Sequence, residues 1–272
     1  MDDGLLNATR TKGGHRRIDP AELLRQVENG SLPQLDLATV RLALRQTHAV
    51  DCNTTRLKEF LLKGDQAQAR RLIQDAWSEG GMEQVADTLV AGAMHDVGMD
   101  WQTGKIDVLH EHRATELCLA ILYQLVPQVV ARSKRMNPPK VAIGCSPSKD
   151  QHQVASLLAQ MLLEEAGWTA RSLGGGISAN TLEDNIQQSG AHIAWISATN
   201  VPSLEALIDE FAGPIGRMRT NGVEVIVGGL AINEPAARRL NASAWGSKLS
   251  DIVKLARPWG ATTGDGRGSD RS

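Results

Sequence analysis

Only three cysteines occur in the 272 residues. Cys52, Cys118 and Cys145 stand far apart and are odd in number, which excludes a disulfide framework and a CxxC metal pair, so each reads as a small core residue. Long apolar runs are missing as well. No stretch approaches the roughly 18 uninterrupted apolar residues of a membrane span, and the charged N-terminus has no apolar run to make a signal peptide. A cytoplasmic location without membrane contact is therefore the default expectation. A strong charge of either sign is also missing: the net charge of −2 excludes a protein that coats nucleic acid along its whole length, while leaving room for a local basic patch. What is present, 42% hydrophobic and 22% charged residues, is enough to bury a sizeable core, and the length suits about two domains.

The chain divides by pattern. Residues 1–30 carry Arg10, Lys12, His15, Arg16 and Arg17 around Gly13-Gly14, followed by a short helix from Pro20 to Val27, with Asp19 as cap and Pro20 in the first helical position. Over 35–132 the apolar residues recur at helical spacing, among them Val40, Leu57, Leu61, Leu72, Trp77, Val85, Leu89 and Met94. Breaks at Asp51-Cys52-Asn53, Gly64-Asp65, Gly80-Gly81 and Gly104 predict a bundle of four or five helices.

Past Pro138-Pro139 the period changes. Short β-type runs at Val141–Cys145, Thr169–Leu173, Ile193–Ser197, Val223–Val227 and Ala242–Trp245 alternate with helical patterns at about 151–166, 180–190, 203–220 and 234–241 and from Ser247 onward. This alternation predicts, over 138–258, a flavodoxin-like, doubly wound parallel sheet of about five strands. A tail at 259–272, rich in Gly, Thr, Ser and Asp, is expected to be disordered. The whole is thus an α plus α/β chain.

In an open parallel sheet the ligand lies beyond the carboxyl ends of the strands, where the strand order reverses. Three loops there carry chemistry: Asp150-Gln151-His152 after the first strand, Ser197-Ala198-Thr199-Asn200 after the third, and Gly228-Gly229 after the fourth. This combination resembles the cobalamin-binding domain family, with its DxHxxG, serine and Gly-Gly motifs. The resemblance implies that His152 is the lower axial ligand of cobalt in place of dimethylbenzimidazole, and that Asp150 supports it through the other ring nitrogen. It also implies that Ser197 meets the buried nucleotide tail and that Gly228 and Gly229 make room for it. The chain departs from the motif at one point, carrying Ala155 where the glycine is expected.

In the helical part, Met94-His-Asp-Val-Gly-Met-Asp-Trp101, a turn, and then Glu111-His112 after a cap at Asp107 form a tight helix hairpin. His110 and His112, two apart on a helix, point about 200° apart, which excludes one shared zinc ion. Trp101 on its residue type alone also reads as a core aromatic. The spacing W-x9-E-H resembles the cap of cobalamin-dependent photoreceptor repressors and of the cobalamin-binding half of methionine synthase, which implies that Trp101, Glu111 and His112 face the upper ligand of adenosylcobalamin or methylcobalamin. Light-responsive members place a histidine beside the tryptophan, and here that neighbour is Gln102.

The segment from Asp2 to Ile18 resembles the second half of an excisionase or MerR-type winged helix-turn-helix. The resemblance makes Arg10, Lys12, His15, Arg16 and Arg17 a wing that touches the DNA backbone, and basic contacts of that kind position a protein without reading sequence. The recognition helix is expected to be missing, so weak, salt-sensitive DNA binding is expected of this chain. Together these readings predict a homo-oligomeric, cobalamin-binding transcriptional regulator, controlled by ligand and in some versions by light, rather than an enzyme, since a methyltransferase or mutase needs a further barrel of about 250 residues. A corrinoid carrier for methyl transfer, and a domain that kept the fold and lost the cofactor, are the alternatives.

Overall fold

The computed structural model describes residues 8–10, 16–18, 20–29, 31–32 and 36–260. It forms two compact units, Met1–Arg56 and Leu57–Ser272. In the first, β1 (Ala8–Arg10) pairs antiparallel with β2 (Arg16–Ile18), Thr9 opposite Arg17 and Arg10 opposite Arg16, and α1 (Pro20–Glu28) follows with proline at its first position. A β-hairpin backbone thus lies in the segment that resembles a wing. Its tip, with Lys12 and His15, lies outside the described residues, as does most of the tail expected at 259–272.

Five helical segments come next: α2 (Leu37–Lys63), α3 (Gln66–Glu83), a π-helical turn (Gln84–Val90), α4 (Ala91–Gln102) and α5 (Val108–Arg132). The expected break at Asp51-Cys52-Asn53 does not occur, and α2 runs straight through it. Such residues cost a helix only about 0.7 kcal/mol each and, unlike glycine or proline, do not redirect the chain. Gly64 does end the helix, with φ +77°. At Gly81, φ +70° and ψ −173° break the helical path, and the Glu165 carboxylate accepts from the freed Met82 amide at 3.0 Å and from Trp77 Nε1 at 2.7 Å.

α5 is by length and composition apolar enough to cross a membrane. One face of it is packed in the core of this unit, through Ala114, Cys118, Ile121, Leu122, Leu125 and Val129, while Val108, Leu109 and Tyr123 are exposed.

The α/β part contains β3 (Val141–Cys145), α6 (Val154–Glu165), β4 (Thr169–Ser172), α7 (Ala179–Ser189), β5 (Ile193–Ser197), α8 (Leu204–Thr220), β6 (Glu224–Gly228), α9 (Glu234–Arg239), β7 (Ala244–Gly246) and α10 (Asp251–Gly260). All five strands are parallel in the order β4-β3-β5-β6-β7. The predicted doubly wound sheet is therefore present. One face packs on α7, α8 and α9; the other packs on α6 and α10, in a core continuous with helices α2 to α5.

The boundaries differ from the expected ones for local reasons. α6 begins at Val154 rather than near 151 because Asp150 holds the preceding residues in a loop. α10 begins at Asp251 rather than Ser247 because the Asp251 carboxylate accepts from the amides of Ser247 and Lys248, each at 3.0 Å, and the helix continues two residues past Pro258.

Cys118 and Cys145 are fully buried, and burial pushes both thiols up to about 12. Cys52 is exposed. A thiol-alkylating reagent at pH 7.5 will accordingly label one cysteine in the folded protein and all three after denaturation, as counted by intact mass.

Candidate functional site

The strand order reverses between β3 and β5, and the loops after these two strands meet around one carboxylate. Asp150 is fully buried. Its Oδ1 accepts from the His152 amide at 3.0 Å and lies 2.7 Å from His152 Nδ1; its Oδ2 accepts from the amides of Thr199 and Asn200. All the acceptor capacity of the carboxylate is used. A third loop joins through the Asp150 carbonyl, which accepts from Gly176 N at 3.0 Å. Burial works to raise the Asp150 pKa, but the hydrogen bonds from His152, Thr199 and Asn200 outweigh it and hold the carboxyl below the usual carboxylate range.

His152 is fixed by the same contacts. Ser146 Oγ, fully buried at the end of β3, donates to the His152 carbonyl at 2.7 Å. Nδ1 is on Asp150 and the side chain is 45% exposed; among the described residues Nε2 has no hydrogen-bond partner. The hydrogen bond to Asp150 raises the His152 pKa, and the nearby Glu111 carboxylate adds to the rise. The end of the helical hairpin thus lies within electrostatic reach of the histidine loop.

That end is apolar and open. Trp101, in the last turn of α4, is 43% exposed, and Met99, Val108 and Leu109 beside it are exposed too. The reading of Trp101 as a core aromatic is therefore set aside. Asp107 caps α5, accepting from His110 N at 2.9 Å. Glu111 is mostly buried and accepts from Thr115 Oγ1 at 3.0 Å, while the exposed His112 has Nε2 3.6 Å from Glu111 Oε2.

Ser197 closes β5, nearly buried and paired in register with Gly228. Gly229 has φ +100°, and a Cβ there would sit 2.2 Å from the Ala198 carbonyl oxygen; one at Gly228 would sit 3.0 Å from the Gly246 carbonyl oxygen. The space expected for a ligand at these glycines is taken by the protein's own backbone. Exposed Leu230 follows them.

Sequence reasoning had placed Asp150, His152, Ser197 and the glycines in one site, and they meet at one edge. It missed Ser146 and the amides of Thr199 and Asn200, whose roles come from loop geometry that no periodicity reports. The side chains of Arg10, Arg16 and Arg17 lie outside what the structure describes.

The comparisons bear on this edge and its helical cover. Residues 54–125 match the family model of a B12 binding domain. The match runs from the end of α2 into α5 and includes Trp101, Glu111 and His112. No curated protein matches the sequence. Among solved structures, the monomethylamine corrinoid protein of Methanosarcina barkeri is similar over 75% of this chain and 96% of its own, with 16% identity and a TM-score of 0.59. A cobalamin-binding protein of Desulfitobacterium hafniense (75% of this chain, 97% of its own, 17% identity, TM-score 0.40) and the methanol:cobalamin methyltransferase complex of M. barkeri (76%, 79%, 16%, 0.41) also align. At this identity the first likeness shows a shared fold, that of a helical domain followed by a parallel α/β domain.

As a donor set for a cobalt ion the histidine loop fits: a half-exposed imidazole, whose Nε2 would have to give up any proton to bind a metal, has its opposite nitrogen held by a buried carboxylate.

Proposed function

We propose that this chain is a cobalamin-binding sensor that regulates transcription, with ligand state passed on to DNA binding or to association between copies, and with no catalysis of its own. The observation that carries the cofactor reading is the Asp150–His152 pair at the strand-order reversal, with Glu111, on helices that match a B12 binding domain, within electrostatic reach of His152. Bound cobalamin, in its adenosyl or methyl form, supplies a cobalt ion with an exchangeable upper ligand. In this reading His152 Nε2 would hold the cobalt and Asp150 would fix the histidine tautomer. Ser197, Gly228 and Gly229 would shape the sheet side of the site, and Trp101, Glu111 and His112 would line its helical side. A cytoplasmic, homo-oligomeric protein goes with this reading.

Regulation draws support from the β1–β2 hairpin, which carries Arg10, Arg16 and Arg17 on its strands and Lys12 and His15 between them. Cation contacts to phosphate are lost steeply with salt. The chain will retard duplex DNA of any sequence at low salt, the retardation will fade by about 200 mM salt, and adding cobalamin will change it. An R16A/R17A variant will retain cobalamin and lose the retardation. A second reading, a corrinoid carrier for methyl transfer, draws support from the fold shared with the monomethylamine corrinoid protein. It is favoured if electrophoretic mobility of DNA is unaffected by the protein at any salt concentration while cobalamin still binds.

Trp101 tests the cap. Because it is 43% exposed, Trp101→Ala will change stability by no more than about 0.5 kcal/mol in urea denaturation. Losing an aromatic contact of about 1 to 1.5 kcal/mol will weaken cobalamin binding by about tenfold in an absorbance titration. Unchanged affinity would remove the cap from the site.

A further inference from the structure

Trp195 stands two residues before Ser197 on β5, and strand alternation puts both on the same face of the sheet. Its indole is 2% exposed. Across the ladder its partner is Gly144 of β3, and a Cβ built on Gly144 would lie 2.0 Å from Trp195 Cδ2, so the ring lies against a position that has no side chain. Nε1 donates to Ser156 Oγ at 3.1 Å in the first turn of α6, next to Ala155. The buried Ser156 hydroxyl is in turn 2.9 Å from Ser172 Oγ at the end of β4, which accepts from Gly174 N. The indole is thus packed on β3, hydrogen-bonded to α6 and linked through α6 to β4. It fills the space between sheet and helix on the Ser197 face.

When a histidine ligates cobalt in cobalamin, the displaced dimethylbenzimidazole on its nucleotide tail must go elsewhere. The space between sheet and α6 on the Ser197 face is filled by a planar, fused five- and six-membered ring of the same shape class as that base. From this we infer that Trp195 stands in for the nucleotide base, so that the protein holds a corrinoid by its ring and cobalt alone and does not read the lower base. The tail stays outside the sheet, and corrinoids lacking a base are ligands as good as cobalamin. This rests on the cofactor reading of His152.

Absorbance titrations with aquocobalamin and with diaquocobinamide, which has no nucleotide base, test it on the intact chain. The wild type will bind the two within about threefold of each other. Trp195→Gly, which opens that space, will prefer aquocobalamin by about tenfold or more, and free dimethylbenzimidazole will raise its melting temperature without raising that of the wild type. Trp195→Phe, which keeps most of the filling, will remain indifferent to the base. A wild-type preference for aquocobalamin of about tenfold or more overturns the inference while leaving the cofactor reading intact. So does a folded Trp195→Gly as indifferent as the wild type. Failure of the wild type to bind either corrinoid overturns both readings. If Trp195→Gly does not fold, the wild-type comparison decides alone.

Discussion

Replacing Asp150 by alanine will destabilise the protein by about 3 to 5 kcal/mol in urea denaturation at pH 7, and replacing His152 by alanine by no more than about 1 kcal/mol. The difference follows from who depends on whom. Asp150 is fully buried and accepts from the His152 amide and ring and from the Thr199 and Asn200 amides, so its loss leaves donors from two loops unpaired. Each buried donor without a partner costs about 1 to 3 kcal/mol. His152 is nearly half exposed, and its ring leaves only the carboxylate behind. Asp150→Asn will be nearly as damaging as alanine, since either orientation of the amide turns an NH2 group toward one of the two donor pairs. Acid has a matching effect. A carboxyl held below its unfolded pKa stabilises fully above the ordinary carboxylate range, and that contribution is lost as pH falls through the lower, folded-state value. The raised His152 pKa works in the opposite direction: its contribution is complete below the ordinary histidine pKa and fades as pH rises through the folded value. Asp150→Ala will flatten the acid limb of a stability–pH curve, and His152→Ala will flatten it in part, because the ring bond is the largest of the contacts that lower the Asp150 pKa while the three amide bonds remain. For cobalamin the ranking reverses. His152→Ala will remove the absorbance change that marks histidine ligation, whereas a folded Asp150→Asn will keep it with affinity lowered by about 10- to 100-fold. Equal stability losses in the two alanine variants would show that the carboxylate serves the histidine alone.

The sheet was legible because each strand is a short apolar run bounded by turn residues, and the ends of Val141–Cys145 and Ile193–Ser197 fall as the pattern predicts. The edge strand was less legible. β7 has only three residues, all partly exposed, and its expected start lay two residues early. Asp150 and His152 could be found because they lie in the loop after an interior parallel strand, where such sheets bind ligands, and at a spacing that resembles a known motif. The meaning of Trp195 could not, since within an apolar run a tryptophan looks like any other core residue. Its signal is a pairing across the sheet, a bulky ring opposite Gly144, and that requires the register. The early starts predicted for α6 and α10 share one cause: side-chain caps, Asp150 accepting from His152 N and Asp251 accepting from the Ser247 and Lys248 amides, hold the preceding residues out of the helix, whereas the predicted break at Asp51–Asn53 overrated residues that a helix tolerates.

Gly229→Ala will cost about 3 to 5 kcal/mol, and Gly222→Ala, also at positive φ, about 1 kcal/mol. At Gly222, φ is +81° and nothing lies within 4 Å of the added Cβ, so only the backbone penalty of a left-handed residue applies. At Gly229, φ is +100° and the Cβ would meet the Ala198 oxygen at 2.2 Å, its carbon at 2.7 Å and its nitrogen at 2.8 Å, all backbone atoms that have no rotamer to escape into. Ala198 is also held in place on both sides: its amide donates to the Gly228 carbonyl at 2.9 Å, and its carbonyl accepts from Ala231 N at 3.0 Å. The displacement therefore passes along the chain to Thr199, whose amide donates to Asp150. A Gly229→Ala protein that still folds will have a loosened Asp150–His152 pair and weaker cobalamin binding, although the substituted residue lies on a different strand from the histidine. The ring proton resonances of His152, compared between Gly229→Ala and Gly222→Ala, will separate the effects: a shift in the first and none in the second places the requirement for Gly229 in the contact between the two loops. Equal shifts would place it in the backbone angle, and not in the contact of Gly229 with the Ala198 backbone.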